Sequence, residues 1–108
     1  MKLSELNAQF VGSGGEGITH NGQPVPYRHG IAVMMECPCR ECDQLLCVPF
    51  SNPLDGGPPE EGWSKGWHRE GDTIDTLTLQ PSVQRMNPPE LGGCRWHGFI
   101  TNGEAVTC

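Results

Sequence analysis

Two residue pairs with matching spacing carry the clearest chemistry in this sequence. Cys39 and Cys42 are separated by two residues, and Cys94 and His97 repeat that spacing. Two intervening residues allow a tight turn to aim both side chains at one ion, and thiolate sulfur with imidazole nitrogen is a typical donor set for zinc. A closed set of four protein ligands is typical of structural zinc. The predicted ligands are Cys39, Cys42, Cys94 and His97.

The choice among the neighbouring cysteines stays open at this point. Cys37 lies two residues before Cys39 and is an alternative ligand. Cys108 would reach the site if the last hairpin folds back, and Cys47 is expected to be a buried apolar residue on a strand. Six cysteines also permit three disulfides, but three of them crowd one short turn, where they pair poorly with one another. Zinc is therefore the favoured interpretation.

Two kinds of catalytic site are alternatives to a structural metal site. Pro38–Cys42 matches the P-C-x-x-C half of the zinc deaminase signature, and His68–Glu70 matches its H-x-E half. The two halves stand in the reverse order, and the second runs into a turn at Gly71, so this reading is disfavoured. No nucleophile beside a histidine is assigned, because the cysteines are better explained as ligands.

The elements that must position the cysteines are predicted to be hairpins. Ile31–Met35 and Leu45–Phe50 are short apolar runs on either side of the cysteine turn, so the ligands would lie at a hairpin tip. Asn102-Gly103 separates two further β-type runs, Phe99–Thr101 and Glu104–Thr107. Asn-Gly in that context is the strongest short-range hairpin signal.

The remaining elements are shorter. Strands are predicted at Leu6–Val11 and Thr73–Leu79, and a single helical turn at Pro81–Met86. Residues 12–30 and 52–66 are predicted as long loops rich in Gly and Pro. The first begins with a match to the G-x-G-x-x-G pattern, but no helix can follow it, which argues against nucleotide binding. The predicted fold class is mostly β, with zinc-ribbon-like hairpins; a small α+β fold is the alternative.

Composition supports a small domain that depends on a cross-link. The chain has 108 residues with 15 Gly and 10 Pro, and we expect residues 1–108 to form a single zinc-stabilised domain. The N-terminus lacks the apolar region of a signal peptide, and no stretch is long and apolar enough for a membrane span. We therefore predict a cytoplasmic protein of a bacterial host. The net charge of −6 makes nucleic acid an unfavourable partner.

Trp63 and Trp67 are large apolar residues in or beside the second loop. Either they pin that loop to the core, or they bind a protein partner, since Trp is enriched at interface hot spots. We predict them as partner-binding residues, with the identity of the partner left open.

Several segments resemble a known family. The matching pieces are Cys37-Pro38-Cys39, Leu77–Val83, Gly93–Ile100 and Asn102–Cys108. They resemble small uncharacterised zinc-binding-type proteins, described as a domain of unknown function, of phages, prophages and bacterial mobile elements. Some members carry the label "ammonia monooxygenase", which no copper-binding histidines support here. The resemblance covers the chain from about Ile31 and implies zinc binding without an established activity. Some relatives are encoded beside bacterial ubiquitin-like conjugation components, which would suit an adaptor.

The sequence thus leads to a non-enzymatic, zinc-stabilised protein-interaction module encoded by a phage or mobile element. One alternative is a phage inhibitor that binds a component of a host defence system. Another is a small zinc-dependent hydrolase or deaminase-like enzyme. Four protein ligands favour the first two, whereas three ligands and a water favour the enzyme.

Overall fold

Short antiparallel strands make up most of this protein. The computed structural model describes residues 1–42, 44–59, 66–85 and 94–108. Within those ranges the strands are β1 (Gln9–Ser13), β2 (Thr19–His20), β3 (Gln23–Pro24), β4 (Arg28–Glu36), β5 (Leu45–Pro49), β6 (His68–Glu70), β7 (Thr78–Gln80), β8 (Val83–Gln84), β9 (His97–Thr101) and β10 (Glu104–Thr107). Two 3₁₀ turns cover Leu3–Leu6 and Ile74–Thr76. The mostly-β prediction is confirmed. None of the helical segments in these ranges could cross a lipid bilayer.

The first sheet contains the hairpin that carries the cysteine turn. Its order is β1-β4-β5, and β4 pairs with β5 from Ala32↔Pro49 to Glu36↔Leu45. β5 alternates in the manner of a strand with one buried face, with Leu46 and Val48 inside. The predicted hairpin is confirmed. Cys47 lies on the outward face of β5 and is exposed, so the prediction that it is buried is wrong.

The second sheet contains the hairpin near the C-terminus. Its order is β10-β9-β8, with β9 paired to both neighbours. Asn102 and Gly103 connect β9 to β10 with φ angles of 47° and 77°. Positive φ at both central residues is the type I′ geometry that Asn-Gly favours, because it matches the twist of the flanking strands. This hairpin prediction is confirmed as well.

The N-terminal residues dock onto β10 and close the core. The terminal amine donates a hydrogen bond to the Ala105 carbonyl at 3.0 Å, and the Leu3 N–H donates to Gly103 at 2.8 Å. Leu3 and Leu6 are fully buried. The core they join draws on both three-stranded sheets, on the β6–β7 pair and on residues between the strands. Its members are Val33, Met35, Leu46, Val48, Phe50, Leu77, Leu79, Val83, Trp96, Ile100 and Ala105.

Local prediction is wrong in three places. The strand predicted from Leu6 begins only at Gln9, because Leu6 ends a 3₁₀ turn whose C-cap, Asn7, has a left-handed backbone. In the segment predicted as a strand at Thr73–Leu79, a 3₁₀ turn covers Ile74–Thr76 and strand begins only at Thr78. The Thr73 and Thr76 hydroxyls are 2.7 Å apart, and such local side-chain bonds compete with strand pairing. The helical turn predicted from Pro81 is instead strand at Val83–Gln84, because buried Val83 pairs with Gly98.

The segments predicted as loops contain defined local structure. Residues 12–30 include the short β2–β3 hairpin and the beginning of β4. In the described part of 52–66, Arg28 donates two hydrogen bonds to the Asp55 carboxylate, from Nε at 2.9 Å and Nη2 at 3.0 Å. Arg28 also donates to the Pro58 carbonyl at 2.7 Å. Arg28, the first residue of β4, therefore connects this loop to the strand through its guanidinium group.

Lowering the pH should break the ion pair between Arg28 and Asp55. The hydrogen bonds from Arg28, together with the Gly57 N–H, lower the pKa of Asp55 to about 2. A carboxyl group whose pKa is lower in the folded than in the unfolded state stabilises the folded state. This stabilisation is fully present at a pH above the unfolded-state pKa of about 3.9, and it is lost as the pH falls towards 2. We expect an NMR titration of the Asp55 carboxyl to show a midpoint near 2 in the wild type, rising towards the ordinary value in Arg28→Met. A wild-type midpoint near 4 would contradict the ion pair.

Candidate metal centre and serine–histidine site

Four cysteine sulfurs converge where the turn after β4 meets the segment before β9. Cys37, Cys39 and Cys42 come from the turn that follows β4, and Cys94 lies three residues before β9. The Sγ atoms of Cys37 and Cys94 are 3.5 Å apart, and those of Cys94 and Cys39 are 3.4 Å apart. All four sulfurs lie within 4.8 Å of one another.

The cluster has the dimensions of a tetrahedral thiolate site. With zinc–sulfur bonds of about 2.3 Å, sulfurs at the corners of a tetrahedron are about 3.8 Å apart. The observed spacings of 3.4 and 3.5 Å fall slightly below that value, so a small expansion would admit an ion. All four cysteines are free thiols, and two of them, Cys37 and Cys94, are buried. The cluster could therefore hold a metal ion such as zinc.

Backbone geometry explains why the turn can present three sulfurs. The Cys37 N–H donates to the Gln44 carbonyl at 3.0 Å, which continues the β4–β5 ladder to the base of the turn. The Arg40 N–H then returns to the Cys37 carbonyl at 3.0 Å, and Arg40 has a φ of 62°. This left-handed residue reverses the chain, so that Cys39 and Cys42 lie on the same side of the turn as Cys37.

The sulfurs differ in how readily they ionise. Burial is the main influence that raises the pKa values of the Cys37 and Cys94 thiols, because a thiolate loses hydration there. Burial also acts on Cys39, but hydrogen bonds from the Glu41 N–H and the Cys42 thiol bring its pKa down to about 6. The Cys39 thiol therefore ionises more readily than those of Cys37 and Cys94. A divalent cation would supply the positive charge that ionises the others.

The residues predicted as zinc ligands divide between two places. Cys39, Cys42 and Cys94 lie in the cluster, and its fourth member is Cys37, the alternative ligand. His97 does not belong to the cluster: its Nε2 is 2.9 Å from the hydroxyl oxygen of Ser82.

Ser82 and His97 meet because β8 and β9 pair. Ser82 immediately precedes β8 and His97 begins β9, with Gln84 directly opposite His97 in the register. Both side chains are half-buried. A serine hydroxyl 2.9 Å from an imidazole nitrogen is the contact through which a base takes the proton of a nucleophile. The sequence interpretation that no such pair can be assigned is corrected by this contact.

Hydrogen bonds fix the backbone at both Ser82 and His97. The Trp67 indole N–H donates to the Ser82 carbonyl at 3.1 Å, and the Trp67 backbone N–H donates to Pro49, at the end of β5, at 2.8 Å. The Cys108 N–H donates to the His97 carbonyl at 3.0 Å. These bonds restrict the positions of both the hydroxyl and the ring.

The other predicted site residues lie outside the sulfur cluster or outside the described residues. Trp67 is partly buried against the core and contacts the Ser82 backbone, while Trp63 lies outside the described residues. Cys108 is exposed and is not in the sulfur cluster. His68 and Glu70, the H-x-E pair, lie in β6 with their side chains more than half exposed and 3.9 Å apart. In the described ranges they do not join the cysteines in a metal-ligand group.

The cysteine cluster and the serine–histidine pair share one segment. Cys94 is three residues before His97, and between them Trp96 is buried with its indole N–H donating to the Thr107 hydroxyl at 3.0 Å. The Trp96 carbonyl also accepts a hydrogen bond of 2.7 Å from the Arg85 N–H, just after β8. An ion that fixes Cys94 therefore also fixes the beginning of β9, from which the His97 ring projects.

Comparison with family models identifies the chain's relatives. Residues 17–108 match a family described as "Bacterial ubiquitination-like system serine protease (BubE)". Comparisons with curated proteins and with solved structures gave no significant match. The family match covers most of the chain, and the chain belongs to this family.

This membership corrects two sequence-based interpretations. The resemblance to uncharacterised proteins of phages and mobile elements is wrong, because the matched family is assigned to a bacterial ubiquitination-like system. The hypothesis of a non-enzymatic interaction module is also wrong, as are its alternatives, a phage inhibitor and a zinc hydrolase or deaminase. The matched family is one of serine proteases, and the structure pairs a serine with a histidine.

Proposed function

We propose that this member of the BubE family is a serine protease in which Ser82 is the nucleophile and His97 is the general base. The observation that carries the proposal is the 2.9 Å contact between Ser82 Oγ and His97 Nε2. A serine hydroxyl is a weak nucleophile by itself and is activated by an adjacent base within about 2.6 to 3.2 Å.

The reaction follows from that contact. Ser82 Oγ attacks the carbonyl carbon of the scissile bond while His97 Nε2 accepts the hydroxyl proton. The tetrahedral intermediate collapses when His97 returns that proton to the departing amine, leaving an acyl group on Ser82. A water molecule then gives one proton to His97 and attacks the ester carbonyl; the ester C–O bond breaks as His97 passes that proton to Ser82 Oγ, which releases the acid and restores the Ser82 hydroxyl.

The surrounding bonds support this chemistry by limiting motion. Fixed positions for nucleophile and base save the entropy that would otherwise be lost on reaching the reactive geometry. Trp67 holds the Ser82 carbonyl, and Cys108 holds that of His97, each through a hydrogen bond to the backbone. Trp67 thus connects the end of β5, through its backbone N–H, to the Ser82 segment, through its indole N–H.

The family's description supports a polypeptide substrate from a ubiquitination-like system. We infer that the partner is a protein component or conjugate of that system, cleaved at an acyl bond that reaches Ser82. Both side chains of the pair are half-buried, so an extended segment of substrate can approach them.

The proposed metal is one structural Zn²⁺ held by the four cysteines at positions 37, 39, 42 and 94. Four soft thiolates at near-tetrahedral spacing favour zinc, and four protein ligands leave no open position for catalysis. In this arrangement His97 remains available to Ser82. Thiolate ligands also favour a reducing compartment such as the bacterial cytoplasm.

The test of the nucleophile is covalent labelling. A fluorophosphonate probe should modify one serine, and mass spectrometry of the digested protein should locate the adduct on Ser82. His97→Ala should slow labelling strongly because the hydroxyl loses its base, whereas Ser4→Ala, at an exposed position in the first 3₁₀ turn, should label at the wild-type rate. Absence of an adduct, or an adduct on another serine, would exclude Ser82 as the nucleophile.

A further inference from the structure

The outward face of β9 continues directly from the catalytic pair to an apolar surface. Successive side chains of a strand point to opposite faces, so His97 and Phe99 share one face while Gly98 and Ile100 share the other. Burial agrees with that division: Gly98 and Ile100 are buried, and Phe99 is 49 % exposed.

Val106 of β10 extends this surface. It is paired directly with Phe99, and directly paired residues of antiparallel strands project to the same face. Val106 is 51 % exposed, whereas its neighbour Ala105 is buried. Two adjacent apolar side chains are therefore left half in water beside the Ser82–His97 pair.

Single exposed apolar residues are common on protein surfaces and need no function. This pair differs because of where it lies. Phe99 is two residues from His97 on the same strand, and residues two apart on a strand are separated by about 7 Å. An apolar surface that adjoins a reactive site is where a substrate side chain can be recognised.

We propose that Phe99 and Val106 form a subsite for an apolar side chain of the polypeptide substrate, close to the scissile bond. The inference rests on the proposed protease function and adds a substrate preference to it. A substrate bound in extended form also advances about 7 Å every two residues. Val83 pairs with Gly98 in antiparallel register, so Ser82, one residue earlier, lies alongside Phe99, one residue later. When the scissile carbonyl lies at Ser82 Oγ, a substrate side chain within about two residues of it can therefore contact Phe99 and Val106.

The occupant is a substrate side chain because the surface is continuous with the catalytic pair through β9. Covering both side chains removes apolar area from water, which favours Leu, Met or Phe and disfavours a charged residue. One methylene more or less in an apolar pocket changes kcat/KM by roughly 10- to 200-fold, which sets the scale of the preference we expect.

The test is a series of internally quenched peptides that differ at one position near the scissile bond. The full-length protein should cleave peptides with Leu or Phe at that position roughly tenfold or more faster, in kcat/KM, than peptides with Asp. Phe99→Ala and Val106→Thr should each reduce this preference, chiefly through a higher KM for the apolar peptides. Both side chains are half-exposed, so melting temperatures should change little.

Two controls separate this inference from the proposed function. Tyr27→Ala and Ile18→Thr alter side chains that are 62 % and 50 % exposed elsewhere, and they should leave the preference unchanged. Fluorophosphonate labelling of Ser82 should proceed at the wild-type rate in Phe99→Ala, because the small probe does not need the subsite. Failure of wild-type labelling would defeat the protease function itself.

The inference about the subsite is overturned by either of two results. One is that Phe99→Ala and Val106→Thr keep the full preference for apolar residues while Ser82 labels normally. The other is that sedimentation shows a dimer that these two variants dissociate with cleavage unaffected, which would make the pair a contact between two copies of the chain.

Discussion

Replacement of Ser82 by alanine is expected to lower kcat/KM for peptide cleavage by roughly 10⁴-fold or more. Removing the nucleophile of a serine protease eliminates the acyl-enzyme route and leaves only the contributions of substrate binding and fixed dipoles. The fold should persist, because the Ser82 side chain is half-buried and the hydroxyl's contact in this structure is with the His97 ring. The measurement is initial rates on a quenched peptide, together with circular dichroism to verify folding.

Replacing both Ser82 and His97 tests whether the two side chains act together. His97→Ala should cause a loss of similar size, and Ser82→Ala/His97→Ala should be scarcely worse than either single change, because the two side chains act as one unit. Zinc content should remain at the wild-type level in His97→Ala, since the four sulfurs cluster without the imidazole. Ser4→Ala is the matched control. Retained cleavage in Ser82→Ala, or loss of zinc in His97→Ala, would contradict the assignment of these residues.

The parts of the fold that local sequence determines were predictable. The β4–β5 hairpin follows from two apolar runs around a cysteine turn, and the type I′ turn at Asn102-Gly103 follows from the positive φ that these two residues accept. In both cases the interactions that decide the structure lie within a few residues. The sequence also indicated that the cysteine turn and Cys94 come together, because the spacing of Cys94 and His97 repeats that of Cys39 and Cys42.

The Ser82–His97 pair was not predictable in the same way. The two residues are 15 positions apart; each lies in a segment that carried the family resemblance, Leu77–Val83 or Gly93–Ile100, but nothing local to either segment indicates that they meet, and the pairing of β8 with β9 brings them together. The segment from Pro81 has a local signal for a helical turn, which would have directed Ser82 elsewhere. Tertiary packing of Val83 against the core overrides that signal.

Cys94 and His97 were predicted as a pair of ligands from their spacing, but only Cys94 lies in the sulfur cluster. Two intervening residues suit a metal-binding turn, but here strand β9 begins at His97. Cys94 remains in the segment before the strand and contacts the cluster, whereas the His97 ring follows the outward face of the strand. A strand boundary within the apparent motif therefore separates two residues that ordinary ligand spacing would unite. Sequence alone did not locate that boundary.

Removal of the metal should abolish both the fold around the cysteine turn and the cleavage activity. Purified protein is expected to contain about one zinc per chain, as one site with four thiolates requires. Structural zinc sites contribute about 10 to 16 kcal/mol of apparent binding free energy, which exceeds the stability of most small domains. The described cluster residues Cys37 and Cys94 are part of the hydrophobic core, so loss of the ion would leave unpaired sulfurs among apolar side chains.

Activity should fall when the metal is removed, although in the proposed mechanism the ion takes no part in bond cleavage. The cluster holds Cys94, three residues from His97, and the intervening Trp96 links that segment to Arg85 and Thr107. Titration with a strong chelator should therefore lower the melting temperature, the rate of fluorophosphonate labelling and peptide cleavage together, and Cys94→Ala should reproduce the effect. Cys108→Ala is the matched control, because that side chain is exposed and outside the cluster. Metal-free protein that melts and labels like the wild type would show that the four sulfurs do not brace the catalytic histidine. Loss of cleavage with unchanged stability and labelling would instead show that the ion acts on the substrate.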